Sequence, residues 1–243
     1  MADGPISQFD LRDALVTPWA EAHLQPVVHG GSGMPLGFEE LVRFPGGRGL
    51  ADWIDAAHRF GRCAKLDRIL FLTSVCAFVG SGLPGVLLVK VEAADQSRAP
   101  GRLGEIEAPP GRMVLEVTGR AQAPPEGWRS ARALFGGRGH SLSLDDVECA
   151  LLVLRRKGWL RAQLATLDRW LLTRLLEQKE CGVRRLRRWL GYVESRNARL
   201  IVEGIKERDQ LDFPRWHGVR FGKGYALGWS ALAETWRGVF GWA

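Results

Sequence analysis

Acidic side chains recur at or near the ends of short apolar segments, and they are the residues of this chain best suited to chemistry. Five carboxylates follow this pattern, namely Glu116, Asp145, Asp146, Asp168 and Glu203, and a sixth, Glu39, lies within the second of these segments. Hard divalent cations such as Mg²⁺ prefer oxygen ligands, and two such cations together can activate a water molecule and hold a phosphate. Carboxylates that converge on one pocket would therefore suit a divalent metal site.

Eight short apolar segments alternate with longer amphipathic ones, which predicts strands that alternate with helices. The predicted strands are His23–Val28, Leu36–Val42, Val86–Val91, Met113–Val117, Ser141–Leu144, Ala162–Leu167, Leu200–Gly204 and Val219–Phe221. The predicted helices are Leu50–Arg59, Cys63–Phe78, Trp128–Leu134, Val147–Arg156, Trp170–Glu177, Val183–Ser195, Glu207–Arg215 and Ser230–Phe240. This order predicts an α/β fold, a (β/α)8 TIM-like barrel in which the C-terminal strand ends meet at one pocket.

The first strand is predicted to depart from the parallel arrangement. Only the glycine-rich segment His29–Pro35 separates the first two strands, which is too short for a helical crossover, so these strands should be antiparallel. A second departure is the segment Glu92–Arg112, which contains three prolines and is not expected to form a regular helix. This segment lies between strands of one sheet, so the whole chain, 1–243, is predicted to be a single domain.

The composition predicts a cytoplasmic protein with a sizeable core. The chain has 243 residues, of which 46% are apolar, and its longest apolar stretch, Ile69–Val79, fits a buried helix better than a membrane span. Four scattered cysteines form no Cys-x-x-Cys pair, which indicates reduced thiols and no zinc site. Ten tryptophans, including Trp170 and Trp216 in helical segments, are predicted first to pack between the helices and the barrel, and a partner surface is the alternative.

The formal net charge of +7 is concentrated most densely in one predicted helix. This helix carries Arg184, Arg185, Arg187 and Arg188 beside Trp189. A solvated helix face is the favoured interpretation, and contact with an acidic partner or nucleic acid is the alternative. Because the sequence has no helix-turn-helix, zinc-finger or RNA-recognition motif, specific nucleic-acid binding is not expected, and no membrane partner is expected either.

Several short motifs follow one another from about Leu11 to the C-terminus. They are Leu24-Gln-Pro-Val-Val28, Gly37-Phe-Glu-Glu-Leu-Val-Arg43, Val114-Leu-Glu-Val-Thr118, Leu144-Asp-Asp146, Leu167-Asp-Arg169, Val202-Glu-Gly-Ile205 and Gly222-Lys-Gly-Tyr225. In this order they are similar to the QPI, GxEALxR, LEIT, LDD, KxDR, AEGV and QGY motifs of one family. The chain thus resembles the EAL domain, whose active members hydrolyse cyclic di-GMP, and the resemblance implies a cyclic di-GMP signalling protein.

The sequence departs from the pattern of that family at positions of the active site. Four positions that carry an asparagine, a lysine, a glutamate and a glutamine in the family are occupied by Lys90, Thr166, Lys206 and Lys223, respectively. The loop that reads FGTGYSS in the family reads Val147-Glu-Cys-Ala-Leu151 here, and the glutamate that steadies this loop falls on Gly119. The resemblance therefore implies a degenerate member of the family.

The substituted lysines argue against catalysis. An ammonium group has only donors and cannot ligate a cation. Lys90 or Lys223 is therefore expected to take the place of a metal, within salt-bridge reach of Glu39, Glu116 or Asp145. We predict that the chain has no catalytic residue and no bound metal, so that Mg²⁺ or Mn²⁺ would be needed only if the site were active.

Three functions stay open from the sequence. The first is a catalytically inactive signalling protein that acts through contacts with an unknown protein partner. The second is a receptor that binds cyclic di-GMP without hydrolysing it, for which Gln25, Arg43 and Lys223 are the candidate nucleotide contacts. The third is an active phosphodiesterase. As an alternative to any ligand pocket, the retained acids are partners in buried ion pairs at the barrel mouth.

Overall fold

The computed structural model describes residues 4–16, 19–91, 109–118, 139–145, 162–177 and 179–240, together with positions 133, 136 and 137. The strands in this part of the chain are β1 (Glu21–His29), β2 (Pro35–Arg43), β3 (Val86–Val91), β4 (Met113–Thr118), β5 (Ser141–Asp145), β6 (Leu164–Leu167), β7 (Arg199–Val202), β8 (Phe221–Gly222) and β9 (Ala231–Leu232). The helices are α1 (Gln8–Val16), α2 (Leu50–Arg59), α3 (Cys63–Ser81), α4 (Arg169–Glu177), α5 (Lys179–Glu194), α6 (Asp209–Trp216) and α7 (Ala233–Phe240). None of the helices in these ranges has the length and apolar character needed to cross a bilayer.

Strands β1 to β8 form a closed barrel. Strands β2 to β8 lie side by side in chain order and are parallel, and β1 lies between β8 and β2. Strand β1 runs antiparallel to β8, with Val28 opposite Gly222. The predicted (β/α)8 TIM-like barrel with an antiparallel first strand is thereby confirmed.

A tight turn joins β1 to β2, as the short glycine-rich segment predicts. The backbone N–H of His29 donates to the carbonyl oxygen of Met34 at 2.9 Å, and the N–H of Gly33 donates to the carbonyl oxygen of His29 at 2.8 Å. Gly33 takes a φ of +72°, a conformation that glycine adopts without the steric cost of a side chain. The turn thus takes the place of the crossover helix that a parallel connection would need.

The chain packs into two compact units. The helical unit comprises Met1–Leu24, Glu40–Leu83 and Ser230–Ala243, and the barrel unit comprises Gln25–Glu39 and Pro84–Trp229. That the whole chain forms a single domain stays a prediction.

The core of the helical unit is formed by the inner faces of α1, α2 and α3. Leu11 of α1 is buried in this core, where the ring of Phe44 stacks on that of Trp53 with 4.7 Å between the centroids. Helix α3 ends where Gly82 takes a φ of +68° and donates its N–H to the carbonyl oxygen of Val79. A glycine in the left-handed conformation is the common way to end a helix, so this stop could be predicted from the sequence.

In the barrel unit, α4 and α5 cover β6 and β7. Leu172 of α4 and Leu186 of α5 are buried in one apolar cluster with Leu167 and Leu200 of these strands. The alternation of strands and helices in the sequence therefore produces the expected packing of helices on the outside of a parallel barrel.

The basic cluster lies on α5 and is solvated. Arg184, Arg187 and Arg188 are exposed. Arg185 lies over the ring of the buried Trp189, with its guanidinium carbon 5.7 Å from the ring centroid. This arrangement agrees with the favoured interpretation of the cluster as a solvated helix face.

Most predicted elements are present, with shifted ends. Strand β3 and helix α2 have the predicted bounds. Strand β7 ends at Val202 instead of the predicted Gly204, because Gly204 takes a φ of +67° and the chain leaves the sheet there. The predicted helix Val147–Arg156 lies outside the described residues, as do most of the segment Glu92–Arg112 and all of the predicted helix Trp128–Leu134 except Ala133, which is helical.

Helix α1 and strand β9 were not predicted. A capping motif marks the start of α1: the Ser7 hydroxyl oxygen accepts a hydrogen bond from the N–H of Asp10 at 3.1 Å, and an Asp10 carboxylate oxygen accepts one from the N–H of Ser7 at 2.9 Å. The hydrogen bonds from the Ser7 side chain and backbone hold the pKa of Asp10 below its usual value. Such a reciprocal pair is a helix-start signal that the sequence contains.

The prediction that tryptophans pack between the helices and the barrel is wrong for two of them. The side chains of Trp170 and Trp216 are 55% and 81% exposed, so they do not pack between the helices and the barrel. Trp170 is instead covered on one face by Arg174, whose guanidinium carbon lies 4.7 Å from the ring centroid. Amphipathic side chains at helix surfaces can satisfy the periodicity of a helix without contributing to its core.

Candidate functional site

Polar side chains form one layer of the barrel interior, next to an apolar layer. The apolar layer takes one side chain from each of five strands: Val27, Leu88, Val114, Leu164 and Ile201. Side chains two positions apart along a strand face the same side. The next layer, which we call the polar layer, therefore holds the residues two positions further on, or two positions back in the antiparallel β1: Gln25, Lys90, Glu116, Thr166 and Glu203.

The strand register extends this polar layer into β5. Lys90 of β3 lies opposite Glu116 of β4, and Glu116 lies opposite Ser143 of β5. The side chains of Glu116 and Ser143 have no solvent exposure. Sequence reasoning missed Ser143, although it is a polar residue within an apolar segment, directly before Leu144-Asp-Asp146.

Two lysines bind the carboxylate of Glu39. The ammonium nitrogen of Lys223 contacts Oε2 of Glu39 and lies 2.7 Å from Oε1 of Glu203. The ammonium nitrogen of Lys90 lies 3.1 Å from Oε1 of Glu39. The Lys223 and Glu39 side chains are almost completely buried, whereas that of Lys90 is 47% exposed. The ion pairs that the sequence predicts between Glu39 and the lysines are therefore present.

The backbone around Lys223 fixes where its ammonium group lies. The N–H of Lys223 donates to the carbonyl oxygen of Val202 at 2.8 Å, and its carbonyl oxygen accepts from the N–H of Ile205 at 3.2 Å. A Cβ atom at Gly224 would lie 2.2 Å from the carbonyl oxygen of Ile205, so only glycine permits this close approach. The Gly-Lys-Gly sequence thus holds the lysine beside Glu203, which follows β7.

Glu39 and Lys223, which we call the central pair, both have pKa values that are set more by their opposite charges than by burial. Burial by itself would raise the pKa of Glu39, but the positive charges of Lys223 and then Lys90 bring it below its ordinary value. Burial would likewise lower the pKa of Lys223, but the negative charges of Glu39, Glu203 and Glu116 raise it well above its ordinary value. Both groups are therefore ionised at neutral pH, as expected for a paired buried charge.

We expect the central pair to make the stability of the protein depend on acid pH. Because the folded-state pKa of Glu39 lies below its ordinary value of 4.5, its ionised form stabilises the fold fully above that pH. This stabilisation is lost as the pH falls through the folded-state pKa. The charged groups around the central pair are Lys90, Glu203 and Glu116. Urea denaturation of the wild type should therefore show a steeper loss of stability between about pH 5 and about pH 3 than that of Glu39→Gln.

Identical pH profiles of wild type and Glu39→Gln would contradict this expectation. Asp10 also has a lowered pKa, and it serves as the matched control because it lies in the helical unit and is exposed. Asp10→Asn should keep the steep dependence that Glu39 causes. If Asp10→Asn flattened the profile as much as Glu39→Gln does, the acid sensitivity would not originate in the buried pair.

The described residues do not fit a divalent metal. Both carboxylate oxygens of Glu39 already accept ammonium donors, from Lys223 and Lys90. Two like unit charges 4 Å apart repel by about 4 kcal/mol at the effective dielectric constant of a protein, and a divalent ion would be repelled more strongly. In the part of the chain that the structure describes, no three His, Cys, Asp or Glu side chains are grouped so as to hold a metal ion.

Other residues of the predicted site have separate roles. Asp168 caps α4, because its carboxylate oxygen accepts a hydrogen bond from the N–H of Trp170. Lys206 is exposed, and its backbone N–H donates to the Gln210 side chain at 2.9 Å. Thr166 is fully buried in the polar layer. Asp145 is the last residue of β5, opposite Thr118 in β4, and Asp146 lies outside the described residues.

The candidate nucleotide contacts already have partners within the protein. The side-chain amide of Gln25 donates to the carbonyl oxygen of Gly228 at 2.9 Å. A guanidinium nitrogen of Arg43 donates to the Ser230 hydroxyl at 3.1 Å. Gln25 and Lys223 belong to the barrel unit, whereas Arg43 belongs to the helical unit.

An exposed aromatic pair follows Lys223 and was not predicted. The rings of Tyr225 and Trp229 stack with 3.9 Å between their centroids and 7° between their planes. Both side chains are more than half exposed. Their four-residue spacing across the turn after Lys223 is the signal that the sequence offers.

Comparison with known proteins identifies one family whose sequence model matches the chain and several solved structures with a similar fold. The sequence model of one family, described as EAL domain, matches residues 8–229. No curated protein matches the chain by sequence. The fold is similar to that of an EAL domain protein from Listeria monocytogenes EGD-e, with 16% identity, 98% of each chain covered and a TM-score of 0.81.

Two further solved structures share the fold. One is the PaMucR phosphodiesterase in a complex with c-di-GMP, with 22% identity over 94% of this chain and 98% of that chain and a TM-score of 0.79. The other is the FimX EAL domain from Pseudomonas aeruginosa bound to c-di-GMP, with 19% identity over 91% of this chain and 94% of that chain and a TM-score of 0.78. At these identities the likeness shows a common fold.

Proposed function

The chain belongs to the EAL domain family, and on this premise we propose that it is a cyclic di-GMP signalling protein without phosphodiesterase activity, which acts through contacts with a protein partner. The observation that carries the proposal is the buried ion pair of Lys223 with Glu39 and Glu203. The family resemblance puts Lys223 and Glu39 at positions of the metal-dependent active site. An ammonium group there neutralises the carboxylates that would otherwise attract a cation.

Hydrolysis of a phosphodiester by this family needs groups that the chain does not supply. A bound metal lowers the pKa of its water ligand and so supplies the nucleophile, and a lysine ammonium cannot bind and activate a water in this way. The resemblance also implies a lysine at the position of Thr166, which is a neutral, fully buried hydroxyl. The absence of catalysis is therefore supported by two changes: an ammonium group in place of the metal at Lys223, and a neutral hydroxyl in place of the lysine at Thr166.

Exposed aromatic side chains support a role in protein contacts. Among the residues that the structure describes, six large aromatics are more than half exposed: Phe9, Trp19, Trp170, Trp216, Tyr225 and Trp229. Tryptophan, tyrosine and phenylalanine are enriched at the centres of protein interfaces, and they often contribute most of the binding energy there. A partner surface is therefore the proposed site of function, in place of the barrel pocket.

The second candidate function is that of a receptor which binds cyclic di-GMP without hydrolysing it. Lys90 favours this function, because its side chain is 47% exposed and its ammonium group, which pairs with Glu39, has three donors and can also meet a phosphate. PaMucR and FimX are both known as complexes with c-di-GMP. Against it, the buried carboxylates of Glu39 and Glu116 would repel a second anion.

Calorimetric titration with cyclic di-GMP, with and without Mg²⁺ or Mn²⁺, tests the proposal, together with chromatographic detection of the hydrolysed product. We expect no binding heat and no product under any condition, while an active EAL domain protein serves as the positive control. Heat without metal and without product would favour the receptor. Metal-dependent heat with turnover would show that the chain is an active phosphodiesterase.

A further inference from the structure

A groove on the helical unit lies between α1 and the start of α3. Two residues of its lining, Leu11 and Leu15, are almost completely buried in the core of the helical unit and offer little surface to a partner. Phe9 and Val16 stand at its rim and are 81% and 65% exposed. The groove encloses about 490 Å³, which is room for several side chains of a bound segment.

Helix α1 presents a second apolar stripe along this groove. Phe9 and Val16 are seven positions apart, on one face of the helix, whereas Leu11, Ala14 and Leu15 form the buried face. Burial of exposed apolar side chains is favourable because it removes apolar surface from water. The exposed stripe is therefore a surface whose burial by a partner would be favourable.

Three cations surround the groove. Arg12, Arg62 and Lys65 are part of its lining and are exposed. Their side chains make no hydrogen bond or ion pair with any residue that the structure describes. The lining contains no acidic side chain within the same described part. The lining of the groove thus combines two exposed apolar side chains, Phe9 and Val16, with three positive ones.

We propose that this groove docks an acidic amphipathic segment of a partner protein, with apolar side chains on Phe9 and Val16 and carboxylates at Arg12, Arg62 and Lys65. Carboxylates meet arginine in paired, charge-assisted hydrogen bonds, and an amphipathic helix lays its apolar side chains into a groove in this way. The concave groove favours inserted side chains over the flat surface of a bilayer. The inference deepens the proposed function and rests on it by assigning the contact surface.

A set of labelled peptides tests the proposal on the full chain. The probe is a 15-residue helix-forming peptide with leucine at alternating spacings of three and four residues and glutamate beside each leucine; the matched peptides carry glutamine or lysine for glutamate. In fluorescence anisotropy we expect the glutamate peptide to bind at least about tenfold more tightly than the glutamine peptide. The lysine peptide should not bind, and the preference should weaken as salt is added.

Charge reversal locates the site. Arg62→Glu with Lys65→Glu, and separately Phe9→Ser, should each weaken binding of the glutamate peptide at least about tenfold. The matched control is Arg187→Glu with Arg188→Glu, which makes the same charge change at exposed arginines of α5 and should leave binding unchanged. Circular dichroism and thermal denaturation check that each variant is folded, and Phe9→Ser removes only an exposed side chain.

Three results would overturn the proposal. The first is equal affinity for the glutamate and glutamine peptides, and the second is equal loss of binding in the α5 control. The third is failure to bind the glutamate peptide together with binding to phosphatidylserine vesicles that the groove variants abolish, which would make the groove a membrane contact. Because none of these assays uses cyclic di-GMP, their failure is separate from that of the proposed absence of hydrolysis.

Discussion

Lys223→Gln is expected to lower the free energy of unfolding by about 3–5 kcal/mol, because it leaves buried carboxylates without their cation. The Lys223 ammonium bonds Glu39 and Glu203, and it also lies in the field of the buried Glu116. Glutamine has a similar length, so the change removes charge without leaving a large cavity. Urea denaturation of the two proteins at neutral pH measures the difference.

The same variant should gain a response to divalent metals that the wild type lacks. Without the Lys223 ammonium, Oε2 of Glu39 and Oε1 of Glu203 become ligands of the kind that Mg²⁺ or Mn²⁺ prefers, while Lys90 still bonds Oε1 of Glu39. A metal that binds only the folded state stabilises it in proportion to the logarithm of its concentration. We expect millimolar Mn²⁺ to raise the urea midpoint of Lys223→Gln and to leave that of the wild type unchanged.

Lys206→Gln is the matched control, since Lys206 is an exposed lysine of the same barrel unit. It should change the free energy of unfolding by no more than about 0.5 kcal/mol. The raised pKa of Lys223 also fixes the sign of the alkaline dependence. Its contribution is complete below the ordinary lysine pKa and is lost only as the pH rises through the folded-state value, so the deficit of Lys223→Gln should persist from neutral pH to about pH 9. A loss as small as that of Lys206→Gln would show that the buried pair contributes little.

The layered barrel interior could be predicted from the sequence because strand periodicity fixes which side chains share a face. Lys90 lies two positions after the buried Leu88, and Glu116 two positions after Val114, so both strands bring a charged residue to the same depth. The apolar runs alone predict this arrangement. Once the apolar runs align in a parallel sheet, the strand register puts these charged residues next to one another.

The choice of partners within that layer could not be predicted. Lys223 and Glu39 are far apart in the chain, and their contact depends on how the short β8 is set against β7 by the backbone bonds of Lys223 to Val202 and Ile205. Asp168 was expected among the metal ligands, but the local start of α4 engages its carboxylate as a cap. An aspartate directly before a helix suits capping as well as metal binding, and sequence spacing does not distinguish the two roles.

Helix α1 shows a different limit of sequence reasoning. Its apolar residues occupy two faces, one buried at Leu11 and Leu15 and one exposed at Phe9 and Val16. A helix with two apolar stripes has a weak amphipathic periodicity, so the pattern that predicts a surface helix is blurred. The exposed apolar stripe thus explains why the helix was not predicted, and it also makes the outer face of α1 a candidate partner surface.

Restoring the family's residues in the pocket is expected to restore metal binding but not hydrolysis. The variant combines Lys90→Asn, Thr166→Lys, Lys206→Glu and Lys223→Gln. It removes two ammonium groups from Glu39 and returns oxygen ligands, so Mn²⁺ should bind with a measurable heat. The substitution at Lys206 adds a carboxylate to an exposed side chain, and this one change should contribute least.

The rate should stay at least about a hundredfold below that of an active family member, because a misplacement of about 1 Å can cost that factor. The sequence Val147-Glu-Cys-Ala-Leu151 lacks the glycines and polar residues of the family's loop, and Gly119 supplies no carboxylate to steady it. Metal catalysis depends on the groups that orient the ligands as well as on the ligands themselves. Product formation from cyclic di-GMP with Mg²⁺ and with Mn²⁺ is the measurement. Turnover close to that of the active protein would show that the loop is dispensable and that the four substituted residues alone account for the loss of activity.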